Sequence, residues 1–559
     1  MSVPDELRRY VPRTDLYDSL ELVHYHMPVE QPPATASYII FKKGNKTYAK
    51  NGKYGHIEYE DIDSATVIQA AINTLPSEGG KIFIKPGIYK ANIVINNKDN
   101  ITLEGEGWGT IIIGASSNAI TLQIGGTGDS VTARGIKILN LHLQGGVQDG
   151  LTSVVPLQVG TSENVHIEKV KISDYDLKAV RLGAIYSETQ ARSKNIAMKD
   201  CFIDEMVGSL TENAVCMTLG GIDHGLIENV YFYKGPVTAG TGIATIDFSY
   251  GEFNNTLLYD VHIRKCIFDS IRVDPVIAGF QRVRVCSIKD CMFIDGCGQI
   301  LFKESVGTGV TRLCEDFSFS GNKFRAISSH GLTIPSARVD DVLRCKIEGN
   351  IFDTSTDTTS TWVAMQLAGK EFSVKNNVVK NWAGIAIYIL DLRDSEVVNN
   401  VLLNSSQRGG SNLRAELRID GGDNVLISGN LMKGNLCPSI SYSGGTNLKI
   451  WENLLEASYS GNYIYQINPF DSTVSIKRNT NYVTENEGIA TFSGDGSTTT
   501  FNIPHGLADT PSKYGVSPLT PDADASRTIT ADVTNITITF DTAPPSGTDN
   551  LKFGWWARV

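Results

Sequence analysis

Six side chains between residues 223 and 304 have the types and spacing to do chemistry: Asp223, His224, Asp247, Glu252, Lys303 and Glu304. Two carboxyl groups about 5 to 9.5 Å apart, one protonated and one ionised, can hydrolyse a glycosidic bond. Asp247, Glu252 and Glu304 are the carboxyl groups available for such a pair. A cation beside a base can instead remove a proton next to a sugar carboxylate and drive elimination; Lys303 and His224 suit that reaction. No metal ligand set can be assigned, and a calcium ion would be expected only for an eliminating enzyme. The bland reading is that charges on an exposed sheet keep it soluble.

These residues come together only if the chain coils. A short phrase, apolar–x–apolar–x–x–(Asn/Cys/Val)–x–apolar, recurs from residue 101 to 481. It reads VHIEKVKI from Val165, VHIRKCIF from Val261, CKIEGNIF from Cys345 and VLISGNLM from Val425. Alternation by two marks a half-buried strand. The middle apolar residues align as Leu103, Ile138, Ile167, Met198, Ile227, Ile263, Ile288, Phe319, Ile347, Val374, Val398, Ile427, Ile450 and Ile476. The steps run from 23 residues (Ile427 to Ile450) to 36 (Ile227 to Ile263), which is the period of a solenoid. No copy can bury its own strands alone, so the copies must stack and share one interior. The pattern predicts an all-β chain: a parallel β-helix of about 14 coils, a rod on the order of 65 Å long.

Asn322, Asn350, Asn377, Asn430, Asn453 and Asn479 each follow a middle apolar residue by three. Asparagine there tolerates left-handed backbone, and its amide can bond to the coils on either side. Such ladders resemble those of pectate-lyase-like right-handed parallel β-helices. Asp63–Leu75, DSATVIQAAINTL, reads as an amphipathic helix with Asp63 or Ser64 as N-cap. GGKIFIKPGIY follows, and this order resembles the capped entry of the tailspike group of that superfamily. The division expected is residues 1–36 as an arm, 37–62 as a β-hairpin, 63–487 as the capped helix and 488–559 as a β-sandwich. The last segment resembles a terminal module of phage and archaeal-virus tail proteins.

The resemblance implies that function lies on the first sheet of each coil. Its outward column would hold Arg181, Asp247, Lys303, Gln366, Tyr388, Glu416, Arg418 and Asp420, with Arg181, Tyr250, Gln366 and Tyr388 as glycan contacts. Glu416, Arg418, Asp420, Asp391 and Arg393 mix signs and read as a salt-bridged face. Polygalacturonase motifs are absent, and GIDHG at 221–225 resembles a pectate-lyase Trp-Ile-Asp-His phrase without its calcium carboxylates.

Formal net charge is −11 with no basic run, which argues against a nucleic-acid partner. No apolar stretch reaches the roughly 18 residues of a membrane span. The first 33 residues lack the apolar core of a signal peptide, which suits release within a virus particle. The nine cysteines read as buried free thiols, in keeping with synthesis in a reducing compartment. Three functions remain open. One is a tailspike-like structural virion protein, a homotrimer joined to tail or baseplate proteins, that binds host surface polysaccharide, with or without depolymerising it. The second is a secreted, extracellular lyase or glycosidase, and the third a non-catalytic adhesin or filament subunit.

Overall fold

In the computed structural model the phrase repeats pair strand on strand, in parallel, along the whole rod. The structure describes residues 36–559 except 129, 177, 184–190, 205–206, 208–214, 234–243, 249–256, 271–276, 279–282, 295–299, 302–313, 326–331, 334–341, 354–362, 407–414 and 457–462. Each coil contributes one strand to each of three sheets. Val155–Val159, Glu163–Glu168 and Lys171–Ser173 form one such coil. They pair in parallel with Lys178–Gly183, Ser193–Lys199 and Phe202–Ile203 of the next. We call these sheets I, II and III in that order. Sheet III stacks 14 strands, from Gly87–Lys90 to Leu454–Glu456.

The middle apolar residues form one continuous column in sheet II. Leu103 pairs with Ile138, Ile138 with Ile167, Ile227 with Ile263, and Ile450 with Ile476. One coil differs from the sequence alignment: Val374 pairs with Val397, not Val398. That shift brings Asn400 into the ladder, where Asn377 Nδ2 donates to its Oδ1 at 2.9 Å and its own Nδ2 donates to the Val374 carbonyl at 3.0 Å. The left-handed residue is also not the ladder asparagine. It is the residue before it, as at Asn376, Asn399 and Gly429. The ladder side chain must point into the core to bond between coils, and Asn377, Asn400 and Asn430 are fully buried.

Inside the rod, sheet III adds a column of phenylalanines. Phe232, Phe268, Phe293, Phe324 and Phe352 stack with centroids 4.8, 4.7, 4.5 and 4.7 Å apart. Ring-on-ring spacing matches the strand spacing, so each coil fixes the rotamer of the next.

Both ends are closed. Helix α1, Ser64–Thr74, is capped by Asp63, whose carboxylate accepts the Ala65 and Thr66 amides at 3.1 Å. It buries Val67, Ile68, Ala71 and Ile72 against the first coils. Gln69 exchanges two hydrogen bonds with the Val94 backbone at 2.9 and 3.0 Å, occupying a strand edge that would otherwise be open. The hairpin Tyr38–Lys43/Lys46–Asn51 gains a third strand, Ile57–Asp61, and joins sheet II through Gly80–Ile84. At the other end, strands from Glu485 to Arg558 make two three-stranded antiparallel sheets. Phe501, Ile503, Ile538, Phe540 and Phe553 lie buried in the core that these strands share. Residues 1–35 of the expected arm lie outside the described residues.

Eight of the cysteines are buried and free, while Cys297 lies outside the described residues. Among the described residues, no helix is long and apolar enough to cross a membrane.

Candidate functional site

The outward face of sheet I carries one column in strict register. Gln158 pairs with Arg181, Arg181 with Thr218, and Thr218 with Asp247. Further along, Gln366 pairs with Tyr388 and Tyr388 with Arg418. Arg181, Asp247, Gln366 and Tyr388 therefore share the column that the alternation predicts. The backbone of Asp247 lies mid-strand in Ala244–Phe248, and its side chain lies outside the described residues, as do Tyr250, Glu252, Lys303 and Glu304. Arg181 Nη1 donates to Gln158 Oε1 at 3.3 Å. Thr218 is fully buried although its strand position faces outward, and its hydroxyl has no hydrogen-bond partner.

Asp223 and His224 sit across the corner from that column, at the start of strand Ile222–Glu228 of sheet II. Asp223 is held by the Arg192 guanidinium. Arg192 is fixed in turn by the carbonyls of Ile222 and Leu257 at 3.3 and 3.0 Å. His224 is not an isolated base. Its Nδ1 lies 2.7 Å from Asp260 Oδ2, and the other oxygen of Asp260 lies 2.9 Å from His262 Nε2. His262 Nδ1 meets Ser287 Oγ at 2.7 Å. The hydrogen bond from His224, followed by that from His262, holds the Asp260 carboxyl below the usual carboxylate range. Tyr259 closes one side, its ring edge-on to His224 with centroids 5.8 Å apart.

Asp260 and His262 were not singled out in the sequence, although the repeat contains the signal. His224 precedes Ile227 by three, and Asp260 precedes Ile263 by three. Aligned middle residues stack, so those two side chains must meet. Both have left-handed backbone, φ 62° and 55°, which turns them outward at the corner. The Asp260 carboxylate fixes one tautomer of the His224 ring, with the proton on Nδ1 and Nε2 left as the acceptor. The His224 side chain is 53% exposed.

The second cluster pairs internally, as its mixed charges imply. Arg418 Nε and Nη2 donate to Asp420 at 2.8 and 2.9 Å, and Arg393 reaches Asp391 at 3.4 Å. Tyr388 donates its hydroxyl to Asp420 and lies 5.0 Å from the Arg418 guanidinium across its ring. Burial, with the hydrogen bond to Asp420, pushes the Tyr388 phenol up to about 12. Glu416 does not belong to this exposed face: it is fully buried, at a corner where the Ser406 hydroxyl donates to the Ala415 carbonyl at 2.8 Å. Among the described residues, no group of three or more His, Cys, Asp or Glu side chains gathers as a metal site.

No family model matches this sequence, and no curated protein does. Solved structures do. A tailspike protein of E. coli bacteriophage HK620 in complex with a pentasaccharide is 13% identical, with 97% of this chain and 100% of that chain covered and a TM-score of 0.56. A mutant of the same tailspike in complex with a hexasaccharide is 14% identical, with the same coverage and a TM-score of 0.54. The Pseudomonas phage phi297 tailspike gp61 is 10% identical over 88% of this chain and 91% of that chain, at a TM-score of 0.48. The chain has the tailspike β-helix fold.

Proposed function

We propose that this chain is a viral tailspike that binds the surface polysaccharide of its host along the outward column of sheet I. The observation that carries this reading is the end-to-end likeness to a tailspike whose structure holds a pentasaccharide. The sheet I column supports it physically. Gln366, Tyr388 and Arg418 offer planar, hydrogen-bonding groups at one-strand spacing, about 4.8 Å, on a rigid sheet, and a repeating polymer can lie along such a ladder. The protein works in the virion tail as a homotrimer attached to tail or baseplate proteins, and its C-terminal sheets act as a phage-type terminal module. Isothermal titration of the full chain against surface polysaccharides from a panel of bacteria tests this: saturable binding to one of them supports it, and none on any of them rejects it.

His224, Asp260 and His262 favour a second activity, depolymerisation. A base oriented by Asp260, beside the Arg192–Asp223 pair, suits proton abstraction from an acidic sugar. Asp247, with Glu252 or Glu304, would serve hydrolysis instead. The products distinguish the two: elimination leaves an unsaturated sugar that absorbs in the ultraviolet, whereas hydrolysis leaves only new reducing ends. If hydrolysis operates, Asp247→Asn lowers turnover by about a hundredfold with the fold intact.

A further inference from the structure

At the corner where sheet III leads into sheet I, one coil places a carboxyl group where its predecessors place a methyl. Ala364, Ala386 and Glu416 occupy equivalent positions, each immediately before the inward residues Met365, Ile387 and Leu417, which pair in sequence. The next coil has Ser439 there. Leu417 pairs with Ile440, and its amide donates to the Ser439 carbonyl at 3.0 Å. The incoming corner covers these positions. Leu403 pairs with Lys433, so Ser405 and Asn435, each two residues further on, follow one another at successive coils. Ser405, Glu416, Asn435 and Ser439 are all 0% exposed.

Four side-chain oxygens in this corner are buried without any hydrogen-bond partner: Glu416 Oε1 and Oε2, Asn435 Oδ1 and Ser439 Oγ. The Ser405 amide faces the Glu416 carboxyl and favours its charged form. Asn435 spends its Nδ2 on the Cys437 carbonyl at 2.6 Å, which directs its Oδ1 away from that bond. What is left over is all oxygen, and none of it is a nitrogen donor. Leaving a carboxylate buried and unpaired is costly. A proton on Glu416 and the Ser439 hydroxyl would be the donors of this set, but neither oxygen has an acceptor within hydrogen-bond reach. A hard cation, which takes carboxylate, amide and hydroxyl oxygens together, satisfies all four.

We propose that this corner is a cation site, in which Glu416, Asn435 and Ser439 ligate a hard, oxygen-seeking ion, Ca2+ or Na+, through side chains of two successive coils. Bidentate carboxylate and neutral oxygens suit Ca2+, while a single negative charge is matched by Na+. The ion ties the Glu416 coil to the Ser439 coil. Glu416 lies two residues before Arg418, so the same ion holds the strand that presents Tyr388, Arg418 and Asp420. The site stands independently of what the outer face binds.

The test uses the full chain, stripped with a chelator into sodium-free choline chloride and titrated at constant ionic strength with CaCl2 or NaCl. Thermal unfolding is followed, together with Tb3+ luminescence sensitised by tryptophan. Trp382 supplies that signal, because Lys380 pairs with Leu403 and places it one coil before Ser405. Wild type should show a saturable rise in Tm, and Tb3+ emission that Ca2+ displaces. Both should be lost in Glu416→Gln, and apparent affinity should fall at least about tenfold in Ser439→Ala. Asn435→Asp, which adds a second carboxylate, should tighten Ca2+ binding and not Na+ binding. A rise with NaCl that CaCl2 does not exceed assigns the site to Na+. Should Glu416→Gln fail to fold, Ser439→Ala and Asn435→Asp carry the same comparison. A cation response equal in wild type and all variants overturns the proposal. So does a Glu416→Gln protein that is more stable than a wild type indifferent to both ions, since Glu416 would then be a neutral buried acid.

Discussion

The rod solves one structural problem in two ways. At the inward position after the sheet II strand, the earlier coils place Leu141, Val170, Cys201, Val230, Cys266 and Cys291, all buried. From Asn322 onward the same position is asparagine in seven successive coils, also buried. In the earlier half, the turn is held by apolar packing, with thiols contributing only weak bonds such as Cys291 Sγ to the Ile263 carbonyl at 3.8 Å. In the later half, each ladder amide from Asn350 to Asn453 donates twice and accepts twice. Asn377 Nδ2 reaches the Ile347 carbonyl at 2.8 Å and Asn400 Oδ1 at 2.9 Å. Its own Oδ1 takes the Asn350 amide at 3.0 Å and Asn350 Nδ2 at 2.9 Å. Packing tolerates substitution one coil at a time, whereas a ladder does not. The outer faces differ in the same direction. The earlier half exposes a His–Asp–His array, and the later half cancels its charges in Arg418–Asp420 and Arg393–Asp391 pairs.

The sharpest way to break this contrast is to remove one ladder rung. Asn377→Ala strips the Ile347 carbonyl of its side-chain donor and leaves Asn350 without its acceptor. Chemical denaturation should show a loss of about 3 kcal/mol or more. A loss near that of an exposed substitution would mean that the ladder is ornamental.

Next in size is Asp260→Asn. On any polysaccharide that wild type cleaves by elimination, turnover should fall by about a hundredfold with KM little changed. Unchanged turnover would move the base elsewhere. The same variant should alter the acid limb of stability. The folded Asp260 carboxyl is depressed, so its contribution is present above the unfolded carboxylate range and is lost as pH falls through the lower folded value. The Tm difference between wild type and variant should be constant above about pH 5 and close below about pH 4. A difference that widens on acidification would contradict the assignment.

The smallest effect belongs to the thiol half. Cys266→Ala should cost about 1 kcal/mol, the loss of a small buried group from packing. A cost equal to that of Asn377→Ala would erase the distinction between the two halves.

The coiled fold was legible because the interior repeats. Thirteen of the fourteen aligned residues occupy the stacked column, as the pairs from Leu103–Ile138 to Ile450–Ile476 show. The one slip came where the chain doubles its own signal: Val397–Val398 and Asn399–Asn400 make two registers equally apolar and equally amidic, and a shift by one reverses every side chain. The site was legible only in part. Alternation placed Arg181, Asp247, Gln366 and Tyr388 on one face, because that rule holds along any strand. It could not reveal that Glu416, on the same face by count, is buried, since burial there comes from the corner of the coil and not from the strand. His224 was visible as a residue type, while its partner Asp260 lay 36 positions away and required the repeat itself as a ruler.

The central claim, a tailspike that holds host polysaccharide along sheet I, is tested most directly by titrating one surface polysaccharide against wild type and Arg418→Ala in parallel. Arg418 braces Tyr388 and Asp420, so its removal should weaken binding by about tenfold or more while leaving Tm nearly unchanged. Equal affinity in both proteins, on a polysaccharide that wild type demonstrably binds, would contradict placement of the glycan on that column.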